Sequence, residues 1–199
     1  GSTGKIFTGQ IPVLPAQPLK NKWYKKLMNW SDEFRQINVR TNAESAEDCA
    51  QAIDFGAEGI GLARTEHMFF EAERIIHVRE MIVAENEADR RKAVSKLLKF
   101  QKKDFLGIFK AMKGKPVTVR LLDPPLHEFV GSLLEDKKEL NALAKHCGVK
   151  PNIVEDRIKG LHEFNPMLGH RGCRLGIAYP EITEMQVQAI IGAACELKK

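Results

Sequence analysis

Arginines at the ends of apolar runs are the residues through which this sequence could do chemistry. Arg64 closes the run Ala57-Glu-Gly-Ile-Gly-Leu-Ala63, Arg120 closes Val117-Thr-Val119, and Arg171 sits in Asn165-Pro-Met-Leu-Gly-His-Arg-Gly-Cys-Arg174. Each is flanked by polar or turn residues. A guanidinium is planar, stays charged and bonds two oxygens at once, so three of them converging on one mouth would clamp a phosphate or a carboxylate. Glu66, Asp123, His127, Asn165 and His170 lie close to them in sequence and are candidate support for such a pocket. The competing interpretation for any one arginine is a structural ion pair, which for Arg120 would be made with Asp123 or Glu128.

The elements that would position these side chains follow from pattern. Val117 and Val119 show the period of a strand, bounded upstream by Gly114 and Pro116. Pro124 and Pro125 cannot donate to a ladder and push Asp123 out of helical space, so the chain leaves the sheet there. Arg120 then stands at the carboxyl end of a strand, where α/β folds bind ligands. Upstream, Lys5-Ile-Phe-Thr8 reads as a terminal strand or hairpin, and residues 1–19, rich in Gly and Pro, run into a linker. Trp23, Leu27, Trp30 and Phe34 mark one face of a helix over 21–35, expected to cover a barrel end or a domain joint. Ile37-Asn-Val-Arg-Thr41 alternates as a first strand, and Ser45 with Asp48 opens a short helix that Gly56 closes. The second strand is 57–63. Its Gly59-x-Gly61 is no dinucleotide fingerprint, because Arg64 stands where that motif needs its third glycine. Two helices follow over 72–113 with a break near Ala84-Glu85, the second using Val94, Leu97, Leu98, Phe105, Ile108, Phe109 and Met112 as its buried face.

After the third strand comes a long excursion. Residues 129–132 read as loop, Glu135–Cys147 and Asn152–Leu161 as helices, and the span suits a binding loop at the ligand end of a strand. The last segment, about Glu181 to Lys198, reads as an amphipathic helix facing inward through Val187, Ile190, Ile191, Ala194 and Leu197. The fold class is therefore α/β, a series of parallel βα units of the (β/α)8 TIM-type pattern with three strands, where a complete barrel takes about 250 residues. The expected divisions are 1–14 as the end of an upstream domain or tail, 15–35 as linker and helix, and 36–199 as the first part of the barrel, with the remainder expected after Lys199.

Composition narrows the function classes. The 199 residues are 43% hydrophobic and 29% charged, and no apolar run approaches the ~20 residues of a membrane span. No targeting signal is read in Gly1-Ser-Thr-Gly-Lys5, and Gly1-Ser2 could be a cloning scar. The net charge of +5 comes from lysines dispersed among acids, without a basic stripe interleaved with aromatics, so nucleic-acid binding is not expected. Four cysteines, Cys49, Cys147, Cys173 and Cys195, form no paired motif and fit reduced thiols in a cytoplasmic setting, an organelle being the other option. Six histidines show no zinc spacing, and no metal site is expected in this chain.

Three stretches carry a resemblance. Gly-Ile-Gly-Leu-Ala-Arg-Thr-Glu-His-Met-Phe-Phe (59–70), Val-Arg-Leu-Leu-Asp-Pro-Pro-Leu-His-Glu-Phe (119–129) and Asn-Pro-Met-Leu-Gly-His-Arg-Gly-Cys-Arg-Leu-Gly (165–176) resemble the pyruvate, phosphate dikinase family through nearly the whole chain. Phosphoenolpyruvate synthases and enzyme I of the bacterial sugar phosphotransferase system share the Arg-Thr-Glu and Asn-Pro-x-Leu-Gly elements but differ at Asp-Pro-Pro, so they rank second. A non-catalytic α/β module binding an anion or a protein is the third reading. The first resemblance implies the start of a C-terminal barrel binding pyruvate and phosphoenolpyruvate, in a phosphotransferase that interconverts ATP, phosphate and pyruvate with AMP, diphosphate and phosphoenolpyruvate. It implies that Arg64, Arg120 and Arg171 bind substrate, that a phosphohistidine domain upstream is a partner, and that ATP is bound elsewhere in the parent. It also implies Mg2+, with ligands and the enolate-protonating cysteine downstream of Lys199; neither Cys173 nor Cys195 matches that cysteine. The chain alone is then expected to contain no catalytic residue and to be inactive. An open sheet edge further predicts a homodimer or other self-association.

Overall fold

A computed structural model describes residues 3–14, 17–123, 125–162 and 164–198, so Gly1-Ser2, Pro15 and the first proline of the Pro124-Pro125 pair lie outside the described residues. The chain divides into two compact units, Gly1–Asn38 and Val39–Lys199. In the first, a short 3-10 turn at Pro18–Lys20 precedes helix α1 (Lys22–Phe34). Asn21 starts α1 by accepting hydrogen bonds from the amides of Trp23 and Tyr24 at 2.9 and 3.2 Å. The apolar stripe read from the sequence is there, but Trp23, Leu27, Trp30 and Phe34 are all exposed. Lys5–Thr8 forms no strand. Ile6 and Phe7 are exposed, so the alternation has no apolar face to bury and no reason to extend.

The second unit is built on a three-stranded parallel sheet in the order β1 (Thr41–Asn42), β2 (Ile60–Arg64), β3 (Val117–Arg120). The first strand is shorter than the alternation over 37–41 predicts, although the Val39 carbonyl still accepts from Glu58 and the Thr41 amide donates to Gly59. Gly59 owes its place to close backbone approach, and Gly61 to a tight fit against the Arg40 side chain. A Cβ on Gly59 would lie 2.8 Å from the Pro116 carbonyl oxygen, and one on Gly61 would lie 3.3 Å from Arg40 Cβ.

Helix α2 (Ala46–Asp54) joins β1 to β2, capped by the Ser45 hydroxyl on the Asp48 amide at 3.0 Å. Helices α3 (Ala72–Val83) and α4 (Glu87–Met112) join β2 to β3, with Asn86 capping α4. Beyond β3 come α5 (His127–Val130), α6 (Lys137–Cys147) and α7 (Pro151–Gly160), then α8 (Gly172–Ala178) and α9 (Pro180–Leu197). The stretch from Phe129 to Ser132 is helical where the sequence reads as loop, α5 running into a 3-10 turn at Gly131–Leu134. Phe129, Val130 and Leu133 are buried there, and tertiary packing supplies what local signals lack.

The long helix α4 serves two hydrophobic clusters. Its amino-terminal half (Ala93, Val94, Leu97) packs with α3 and the inserted helices, while Phe105, Ile108 and Met112 pack with Ile60 and Ala63 of β2, Cys49 of α2 and Ala189 and Ala193 of α9. α2, α4 and α9 therefore share one core on the sheet. The buried side of α9 differs from the expected one. Ile182, Met185, Gln186, Ala189 and Ala193 face inward, whereas Val187 and Ile191 are 46% and 56% exposed. α9 is apolar nearly all round, so periodicity could not choose a face. No helix among the described residues is long and apolar enough to cross a membrane.

Candidate functional site

Parallel pairing sets the site. Arg64 and Arg120 are register partners at the carboxyl ends of β2 and β3, so their backbones lie side by side. The chain leaves both strands at once: Thr65–Phe69 turns as a 3-10 helix after β2, and Asp123 stands three residues beyond Arg120. Arg171 comes from the residue that precedes α8 and reaches the same place through Asp123.

Each guanidinium is held by a carboxylate. Arg64 donates its Nε–H to Glu44 Oε1 at 2.6 Å, and that hydrogen bond raises the Arg64 pKa, keeping the group fully charged. Arg120 donates Nη2 to Glu66 Oε1 and lies 3.6 Å, through Nη1, from Asp123 Oδ2. Arg171 forks onto Asp123, Nε to the backbone carbonyl at 2.9 Å and Nη2 to Oδ2 at 2.8 Å. One oxygen, Asp123 Oδ2, thus joins the second arginine to the third. The Glu66 side chain is only 6% exposed while that of Arg120 is 39% exposed, so the carboxylate is an inner anchor and the cation faces outward.

Some valences are left over. Glu66 Oε2, Arg120 Nε and His127 Nδ1 are buried and find no hydrogen-bond partner among the described residues. A buried donor without a partner costs about 1–3 kcal/mol, so Arg120 Nε is a ready donor for an incoming oxygen. A cleft of about 550 Å3 runs beside it, walled by Arg120, Leu122, Asp123, Cys173 and Gln186.

The other residues expected at the site divide. The His127 ring lies 6.4 Å from that of His162. Asn165 is exposed, and its side chain accepts from the Met167 amide at 3.0 Å, a turn-forming role. His170 stacks edge-on against Tyr179 at 5.2 Å. Arg174 ties down its own loop by donating to the carbonyls of Gly169 and Met167.

Sequence reasoning missed three supports. Glu44 holds Arg64 but gives no local signal, being one acid among several. Gly172 has φ +56, and a Cβ there would lie 3.0 Å from Asp123 Oδ1. Gln186, fully buried on α9, accepts from the Leu122 amide at 2.8 Å and donates to the Thr65 hydroxyl at 3.0 Å. It therefore ties the tips of β2 and β3 together; a polar residue in phase with Ile182, Ala189 and Ala193 was the available signal.

A family model described as PEP-utilising enzyme, PEP-binding domain, matches residues 19–198. Among curated proteins, pyruvate, phosphate dikinase of Rhizobium meliloti (strain 1021) is 54% identical over 196 residues, covering 98% of this chain and 21% of the relative. Those of Clostridium symbiosum and Giardia intestinalis are 50% and 52% identical, covering 100% and 98% of this chain and 22% of each relative. The chain spans about a fifth of the length of these relatives.

Proposed function

Because the chain belongs to the PEP-utilising enzymes, matching their PEP-binding domain, we propose that it forms the substrate-binding part of a pyruvate, phosphate dikinase. The observation that carries this is the side-by-side register of Arg64 and Arg120 at two strand ends, with Arg171 joined to Arg120 through one carboxylate oxygen. The sequential strand order supports a barrel opening. Neighbouring parallel strands whose helices share one face follow the (β/α)8 pattern, whereas a doubly wound sheet reverses its order.

In this reading the arginines bind the phosphoryl and carboxylate groups of phosphoenolpyruvate. Phosphoryl transfer spreads negative charge over the equatorial oxygens, and fixed guanidiniums stabilise that charge without reorganising. Arg120 offers its unpartnered Nε, and Glu44, Glu66 and Asp123 hold the three planes in place before substrate arrives. The three cations stand against three carboxylates, so affinity comes from oriented donors more than from net charge. The phosphoryl group arrives on a histidine of another domain of the longer protein. The family's Mg2+ supplies charge neutralisation of the enolate and phosphoryl oxygens when bound. Glu66 and Asp123 are already committed to arginines and do not fit the open oxygen set that Mg2+ takes, so no step here runs through the ion.

The assay that tests this reading uses the full protein carrying the chain, supplied with ATP, phosphate and pyruvate. Phosphoenolpyruvate should form together with diphosphate, and only when phosphate is present; the 199-residue chain alone should be inactive. Phosphoenolpyruvate formed without a phosphate requirement would reassign the protein to the synthase group, and no turnover by a folded protein would overturn the enzyme reading.

A further inference from the structure

A second constellation lies in the helical region, distinct from the arginine cluster. His77 and Glu80 stand three residues apart on α3, and His146 is in the last turn of α6. Glu80 Oε2 is 3.4 Å from His77 Nδ1 and 3.4 Å from His146 Nε2, and the three atoms all lie within 4.8 Å of one another. Donor atoms around a tetrahedral ion with bonds of about 2.0–2.1 Å sit about 3.3–3.4 Å apart. Two edges of such a tetrahedron are already formed. The third closes by a small turn of the His146 ring, whose side chain is partly in solvent.

We propose that His77 Nδ1, Glu80 Oε2 and His146 Nε2 bind a divalent ion of the zinc class, pinning α6 onto α3. Two imidazoles and one carboxylate are a zinc-type donor set, poorly suited to Mg2+, which takes oxygen and demands octahedral geometry. A cavity of about 150 Å3 lined by Glu80, His146 and Cys147 adjoins the cluster and leaves room for water at a fourth position. Lys96 Nζ bonds both Glu80 oxygens, at 2.7 and 2.8 Å. In the bound state the ammonium keeps Oε1 and orients the carboxylate, while Oε2 turns to the ion. Its positive charge also opposes the metal, so the site trades affinity for a preset carboxylate. The histidines escape sequence reasoning because the pair on α3 is completed only by a residue from the insertion, and neither segment has a zinc motif by itself.

The test is a titration of chelator-stripped full chain with Co2+, read by the visible absorption of tetrahedral Co2+, followed by displacement with Zn2+. We expect saturation at one ion per chain and full displacement. His77→Gln and His146→Ala should each weaken binding by about tenfold or more, while Lys96→Met, which removes the opposing charge, should tighten it by about tenfold. His146 is at the surface, so its variant keeps the far-UV circular dichroism of the parent and reports binding alone. A titration without saturation, binding unchanged in both histidine variants, or a signal abolished by replacing Cys147, Cys173 and Cys195 with serine would each overturn the site.

Discussion

Arg171 reaches the arginine cluster through Asp123, and Gly172 makes room for that contact. Its φ of +56 and the 3.0 Å from a would-be Cβ to Asp123 Oδ1 mean that any side chain there is strained and pushes on the carboxylate shared by Arg120 and Arg171. Gly172→Ala should lower stability by about 1–2 kcal/mol from backbone strain. It should also reduce kcat/KM of the full protein by more than that loss of fold explains, because Asp123 moves. Urea unfolding with steady-state kinetics checks both; an unchanged kcat/KM would separate Gly172 from the site. At this scale the positions of Arg64 and Arg120 were legible, since a strand followed by prolines or turn residues must end with its last side chains exposed at the tip. Of their anchors, Asp123 was readable beside Arg120 and Glu66 was named as support, but Glu44 was missed; Glu44 is 20 residues from Arg64 and Glu66 is 54 from Arg120, and nothing local marks either pairing.

Helix boundaries were readable because caps are local. Ser45, Asn86 and Gly148 act where their types predict, Gly148 closing α6 with φ +68. Faces were less readable. α4 has a polar side and its buried stripe follows the expected residues closely, whereas α9 presents apolar groups on both sides and its true inward face is recognised only by what it meets. Gln186 is the consequence of that face. Replacing it by Leu keeps the volume but leaves the Leu122 amide and the Thr65 hydroxyl without their partner, at a cost of about 1–3 kcal/mol for each unsatisfied group. Gln186→Leu should therefore lower the urea midpoint and, by loosening the two strand tips, raise KM. A stability equal to that of the parent protein would show that the two hydrogen bonds do not matter.

The arginine cluster is assembled only at the scale of the whole second unit. Its arginines come from positions 64, 120 and 171, each delivered by a different βα unit or loop, and parallel pairing, the shared core of α2, α4 and α9, and the Gln186 tie bring them to one end of the sheet. The α/β class and the order of the three strands and the longer helices could be read from the sequence because those elements signal themselves locally, which α5 and α8 do not. The convergence could not, since it depends on register and on contacts across more than a hundred residues. In the proposed function the Arg120 fork, rather than its charge alone, binds the transferring phosphoryl group. Arg120→Lys in the full protein keeps the charge and removes the fork. Measured by steady-state turnover with pyruvate varied, it should lower kcat/KM by about 100-fold or more, equivalent to about 2.7 kcal/mol of lost transition-state stabilisation. A variant that folds normally and turns over at the parent rate would contradict the account.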